Sequence, residues 1–190
     1  TALESRVGRG DLVVALSSDH GAPDLPANIK ASGMTVADLA YIDVTDAAEK
    51  AAAAAFPAMA SSKKRVRGFF PPQLFLDDDD LDAPSKQKLK DAVIAGVSAL
   101  PGISQVYDMA PGLPDKDSYA VFMRNSAPPG RSASVFVRWD PRVVMLEEKG
   151  QPGTDHGTPY LFDRRVPFLL KGPGVRRGRY AQPVDTRDVS

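Results

Sequence analysis

A short apolar run ending on a metal-competent pair constrains this chain more than any other feature. Leu12-Val13-Val14-Ala15-Leu16 is brief, rich in strand formers and bounded by polar residues, the pattern of a buried strand in a mostly parallel sheet. Two serines later come Asp19, His20 and Gly21. The pair therefore falls beyond the carboxyl end of the predicted strand, the edge at which open α/β sheets bind their ligands. A carboxylate and an imidazole side by side can turn toward one cation, and the glycine gives the backbone room to bend. By itself the tripeptide reads first as a strand-ending turn, with Asp19 capping backbone amides and His20 a satisfied polar residue.

The second occurrence changes the balance. The sequence holds only two histidines, and the other lies in Gly153-Thr154-Asp155-His156-Gly157-Thr158, so both stand inside Asp-His-Gly. A repeat this short says nothing of domain duplication, but it suggests two loops converging on one metal-rich edge. There is no cysteine, so any metal is held by nitrogen and oxygen donors. The 24 basic and 24 acidic residues cancel and 43% of the chain is hydrophobic, which implies neither a nucleic-acid surface nor a disordered chain. Arg164-Arg165 and Arg176-Arg177 with Arg179 could attract an anionic substrate but read first as solvated loop charges.

At 190 residues the chain is the size of one domain with a real core. Ala51 to Ala55 is far too short to span a membrane. The opening residues up to Gly8 resemble the end of a helix, and Val184 to Ser190 resemble the start of one. The expectation is a piece of a longer protein.

Between the two tripeptides the pattern is mixed. Ala22 to Gly33 reads as a loop. A helix is expected from Thr45 as N-cap, through the alanines, to Phe56-Pro57. Lys63 to Arg67 reads as a solvated basic segment, Leu74 to Leu76 as a strand, and Asp77-Asp78-Asp79-Asp80 as an exposed acidic loop, since its spacing does not suit an EF-hand. Ser85 is the expected cap of a helix to about Ala99, with Leu89, Val93 and Val97 in an apolar stripe. Ile103 to Tyr107 then completes a βαβ unit. Further strands are expected at Tyr119–Met123, Ser134–Trp139, Val143–Glu147 and, buried in the main sheet, Phe168–Leu170. The stretch of about 61–150 reads as an inserted α+β subdomain.

Taken in order, Ser18-Asp19-His20-Gly21, His156-Gly157-Thr158-Pro159-Tyr160, Asp163, Val166-Pro167, Gly172-Pro173-Gly174-Val175 and the stretch from Asp185 to Ser190 resemble the alkaline phosphatase superfamily, and most closely alkaline phosphatases of the PafA type. The resemblance implies an α/β fold, a mostly parallel sheet flanked by helices, of which residues 1–190 are the C-terminal part. It makes Asp19 and His20 ligands of the zinc that also holds a catalytic threonine or serine, and His156 a ligand of a second zinc. The nucleophile and the remaining ligands would lie upstream, so no catalytic residue is assigned within the chain; Asp155 receives no role beyond that of a turn or ligand-supporting carboxylate.

The same resemblance implies a two-zinc hydrolase of phosphate monoesters working through a covalent phospho-enzyme, located in the periplasm or secreted, with a further divalent ion such as Ca2+ or Mg2+ left open. The isolated chain would bind zinc weakly and be inactive. A phosphodiesterase, nucleotide pyrophosphatase or sulfatase of the same superfamily is the alternative chemistry, and a non-catalytic binding module the alternative of another kind.

Overall fold

The structure, a computed structural model, describes residues 2–8, 10–35, 37–58, 63–112 and 114–185. In chain order its elements are α1 (Glu4–Val7), β1 (Val14–Leu16), α2 (Pro26–Ala31), α3 (Tyr41–Ala55), β2 (Val66–Phe70), β3 (Gln73–Leu76), α4 (Ala83–Ser98), β4 (Ile103–Asp108), α5 (Ala120–Asn125), β5 (Val135–Trp139), α6 (Leu161–Arg164) and β6 (Leu169–Lys171). The chain divides into two compact units, Thr1–Gly21 with Arg164–Ser190, and Ala22–Asp163. No helix among the described residues is long and apolar enough to cross a membrane.

The unit formed by Ala22–Asp163 is built on a four-stranded sheet in the order β2-β3-β5-β4, with every neighbouring pair antiparallel. β3 and β4 therefore run in the same direction with β5 between them. The expected strand-helix-strand unit from Leu74 to Tyr107 is present, but split by a later strand. Leu74, Val106 and Val137 point to the face covered by α3 and α4, where they meet Val44, Leu89, Val93 and Val97 in one continuous core. Phe136 and Tyr107 point the other way and pack with Met123 and Ala120 of α5. Period-two alternation thus feeds two cores from one sheet.

The helices start earlier than their sequence signals suggest, and for a common reason. In α4 the cap is Asp82, whose Oδ1 accepts the Ser85 backbone N–H at 2.9 Å, with Pro84 in the first turn, so Ser85 is inside the helix rather than at its cap. In α3, Asp43 Oδ2 accepts the Ala40 N–H at 2.8 Å, while Thr45 bonds back to the Ile42 carbonyl at 3.0 Å. A carboxylate in the first turn supplies the acceptor that Thr45 was expected to provide. The two helices approach closely, since a Cβ built on Gly96 would stand 2.6 Å from the Ala51 Cβ. The alanine-rich face does what small residues permit.

Other expectations are corrected. Tyr119–Met123 forms the cap and first residues of helix α5, not a strand, because Asp117 Oδ1 accepts the Tyr119 and Ala120 amides at 2.9 and 3.2 Å and so starts a helix there. Val143–Glu147 makes a single bridge, Leu146 to Ala40, and no ladder. Ala22–Gly33 is not all loop; it contains α2, with Ile29 buried. Lys63 to Arg67 is not simply solvated. Arg65 is 4% exposed and reaches Asp80 at 2.7 Å and the Asp77 carbonyl at 3.1 Å, Lys63 pairs with Asp77 and Asp80, and Arg67 with Asp77 and Asp79. The basic and acidic runs, each read alone as surface, neutralise one another.

In the other unit, β1 and β6 pair antiparallel, with Val14 opposite Lys171 and Leu16 opposite Leu169. All six residues are exposed, which overturns the expected burial of Leu12–Leu16 and Phe168–Leu170 within a mostly parallel sheet. A two-stranded ribbon has no layer of its own to cover either face. Among the described residues the bridge between Ala40 and Leu146 is the one parallel pairing. Gly8, at φ 90°, ends α1 as expected. Gly172 is demanded by close approach, since a Cβ there would lie 2.8 Å from the Leu12 carbonyl oxygen. The helix start expected toward Ser190 falls largely on residues 186–190, outside those described.

Candidate metal centre

The first tripeptide follows β1 directly. Ser17 donates to the Pro167 carbonyl at 3.1 Å, tying the end of the strand to the residues before β6. Ser18 Oγ donates to the His20 carbonyl at 2.7 Å, and Asp19 Oδ1 accepts the His20 amide at 3.1 Å, so the turn is closed by its own side chains. His20 Nδ1 lies 2.7 Å from the Gly21 carbonyl oxygen. A carbonyl only accepts, so this contact places a proton on Nδ1, and the neutral ring that binds a cation then offers its lone pair at Nε2.

Nε2 in turn stands 3.7 Å from Asp19 Oδ2. Two ligands on a tetrahedral zinc, each about 2.0–2.1 Å from the ion, are about 3.3 Å apart. The donor atoms are thus nearly at the separation one zinc requires. Asp19 is 87% exposed, and backbone amides, its own first, hold its carboxyl below the ordinary value. A carboxylate that stays ionised and an imidazole with a fixed tautomer form a donor set suited to zinc.

The second tripeptide, in the unit of residues 22–163, is arranged differently. Asp155 Oδ1 accepts the His156 amide at 2.8 Å and lies 3.1 Å from His156 Nδ1. Its other oxygen, Oδ2, accepts a short hydrogen bond from the Tyr41 hydroxyl at the start of α3. Burial, and then that bond, raise the Tyr41 phenol well above its ordinary value, so it remains a donor. Negative charge beside Nδ1 favours a proton there and leaves the lone pair on Nε2. In the first tripeptide the aspartate stands on the Nε2 side of its histidine; in the second it stands on the Nδ1 side.

The loop around His156 is fastened along its length. Thr154 donates to the Pro23 carbonyl at 3.1 Å. Gly157 has φ 102°, a conformation that side chains other than glycine's rarely adopt. Thr158 donates through both its amide, at 2.7 Å, and its hydroxyl, at 2.5 Å, to Asp163 Oδ2. That carboxylate is only 5% exposed, and its Oδ1 is buried without a hydrogen-bond partner among the described residues. Tyr160 donates to the Trp139 carbonyl at 2.5 Å and accepts from Arg138 at 2.9 Å. Few backbone freedoms are left between residues 154 and 163.

Of the three residues expected to bind metal, the structure brings Asp19 and His20 together and places His156 with Asp155 and Tyr41 in the other unit. Among the described residues no group of three or more His, Cys, Asp and Glu side chains gathers at one point. Tyr41 has no signal in the sequence. It lies 114 residues from Asp155.

No family model matches the chain. It is 28% identical over 189 residues to alkaline phosphatase PhoK of Sphingomonas sp, an alignment that covers 94% of this chain and 34% of the relative. Among solved structures it superposes on wild-type alkaline phosphatase PafA with a TM-score of 0.74 at 20% identity, and on a mutant of that enzyme with 0.70 at 19%, each over 95% of this chain and 34% of the other. The chain therefore spans about a third of the length of the proteins it matches. It has an α/β fold shared with alkaline phosphatase PafA, and the resemblance carried by its motifs extends over nearly its whole length.

Proposed function

We propose that this chain forms part of a two-zinc phosphoryl-transfer hydrolase, an alkaline phosphatase acting on phosphate monoesters, and that it contributes metal ligands while the nucleophile lies outside these residues. The observation that carries this reading is the 3.7 Å separation of Asp19 Oδ2 and His20 Nε2, with His20 Nδ1 already committed to the Gly21 carbonyl. Two donors of the right chemistry stand near the spacing of one zinc. The similarity to PhoK and to PafA supplies the reaction class.

On this reading Asp19 and His20 hold the zinc that also binds a threonine or serine nucleophile, and His156 holds the second. Ions held there would supply a lowered pKa for the attacking hydroxyl and charge stabilisation on the leaving oxygen, in keeping with phosphoryl transfer through a covalent phospho-enzyme to water. The protein's own part is orientation. The Gly21 carbonyl fixes the tautomer of His20, Asp155 that of His156, and the Thr158–Asp163 bonds hold the second loop in place. The exposed ribbon of Val14, Leu16, Leu169 and Leu170 supports the view that more of the same protein packs here.

The test is made in the full-length protein. His20→Ala and His156→Ala should each lose bound zinc, measured by elemental analysis, together with most turnover of phosphate esters. Near-normal activity in either variant overturns the reading. Three ligands shared between two ions complete neither four-coordinate site, so the 190 residues alone should bind zinc weakly and show no turnover.

A further inference from the structure

We propose that Tyr41 is a positioning residue for the second metal ligand, acting on His156 through Asp155. The inference rests on the functional reading of His156 as a zinc ligand. Both oxygens of Asp155 are in use: Oδ2 accepts from the Tyr41 hydroxyl, while Oδ1 accepts the His156 amide at 2.8 Å and lies 3.1 Å from His156 Nδ1. A carboxylate on a one-carbon stem has two rotations to set once its backbone is placed, and the His156 amide on Oδ1 leaves the second bond, on Oδ2, to complete the setting. Tyr41 supplies that bond.

The anchor is rigid for reasons independent of the site. Tyr41 opens the 15-residue helix α3, its amide donates to the Leu146 carbonyl at 2.9 Å, and its ring meets Phe69 of β2 edge-on, with centroids 5.8 Å apart and planes at 89°. The phenol is therefore aimed by the core of the unit rather than by the loop that carries His156. Asp155 transmits that placement, fixing both the ring nitrogen that bears the proton and the direction of Nε2. This is how an outer-layer carboxylate commonly tunes a metal-binding histidine, and removing such a partner typically weakens metal binding about 10–100-fold.

Zinc binding by the full-length protein tests the proposal, measured by competition with a chromophoric chelator in four variants: Tyr41→Phe, Asp155→Ala, the two combined, and His156→Ala. Phenylalanine keeps the ring against Phe69, so thermal unfolding of the zinc-free Tyr41→Phe protein should stay close to that of the parent. One zinc should bind about 10-fold more weakly in Tyr41→Phe with the other unchanged, and the combined variant should bind no more weakly than Asp155→Ala alone. Parent-like affinity for both ions in Tyr41→Phe, or effects of Tyr41→Phe and Asp155→Ala that simply add, overturns the inference while leaving the metal reading intact if His156→Ala has lost one zinc. Retention of both ions by His156→Ala overturns the metal reading, and this inference with it.

Discussion

Arg138 of β5 donates from Nη2 to Asp117 Oδ2 at 2.8 Å and lies over the ring of Tyr119, 4.7 Å from its centre. The same guanidinium donates to the hydroxyls of Tyr107 and Tyr160 at 2.8 and 2.9 Å, and Tyr107 also donates to Asp117. Burial works against ionisation of Asp117, yet the hydrogen bonds and the arginine hold its carboxyl below the ordinary value, while burial pushes the Tyr107 phenol up to about 12. One planar cation with several N–H groups satisfies the whole cluster.

Removing that cation leaves Asp117 without its charge partner in a largely covered site. Arg138→Met should cost about 3 kcal/mol in urea unfolding, the scale for breaking a covered pair, and Arg138→Lys about half as much, because an ammonium cannot reach all three partners at once. A loss below about 1 kcal/mol for Arg138→Met would reduce the cluster to an ordinary surface pair.

Gly96→Ala should destabilise the protein, although alanine is the better helix former by about 1 kcal/mol. The new Cβ would stand 2.6 Å from the Ala51 Cβ and 3.2 Å from the Ala47 carbonyl oxygen, and overpacking of this kind costs about 1–3 kcal/mol. Combining it with Ala51→Gly should show a favourable coupling of about 1 kcal/mol or more in a double-mutant cycle. Additive effects would mean the helices separate freely.

Acid should weaken the fold through the paired runs. Asp77 and Asp80 both have carboxyls held below the ordinary value, Asp77 by Arg67 and then Lys63, Asp80 by Arg65 and then Lys63. Their folded values lie below the unfolded 3.8, so their contribution is complete above that pH and is lost as pH falls toward the folded values. Unfolding midpoints should therefore drop below about pH 4. Asp80→Asn should flatten that drop, and an unchanged acid limb in Asp80→Asn would show that the pair does not set it.

Leu16 and Leu169, opposite one another on the β1–β6 ribbon, are 59% and 58% exposed. On the proposed reading further protein covers them. Substituting both by lysine should lower the unfolding temperature of the full-length protein by several degrees, since burying one leucine contributes about 2 kcal/mol. An unchanged full-length unfolding temperature would show the ribbon to be solvated there as well.

Much of the fold was legible locally. The stripe of Leu89, Val93 and Val97, the strand within Ser134–Trp139 and the small-residue helix face are set by period and residue size, which neighbours in sequence reveal. Asp82, Asp43 and Asp117 each start a helix earlier than, or in place of, the expected element, because a carboxylate with an amide in reach outweighs weak propensity. Arg65 could not be read as buried from its basic run, since its partner Asp80 is supplied by the far side of a hairpin.

The two copies of Asp-His-Gly mark the boundary between local and tertiary information. Residue types alone made both histidines candidates for a cation and excluded sulfur ligands, because with no cysteine only nitrogen and oxygen remain. Identical letters could not say which side of its ring each histidine turns to its aspartate. In the folded chain the Gly21 carbonyl holds His20 Nδ1 and leaves Nε2 toward Asp19, whereas Asp155, held by the distant Tyr41, stands on the Nδ1 side of His156. A carboxylate goes where its donors are, and only the folded chain supplies them.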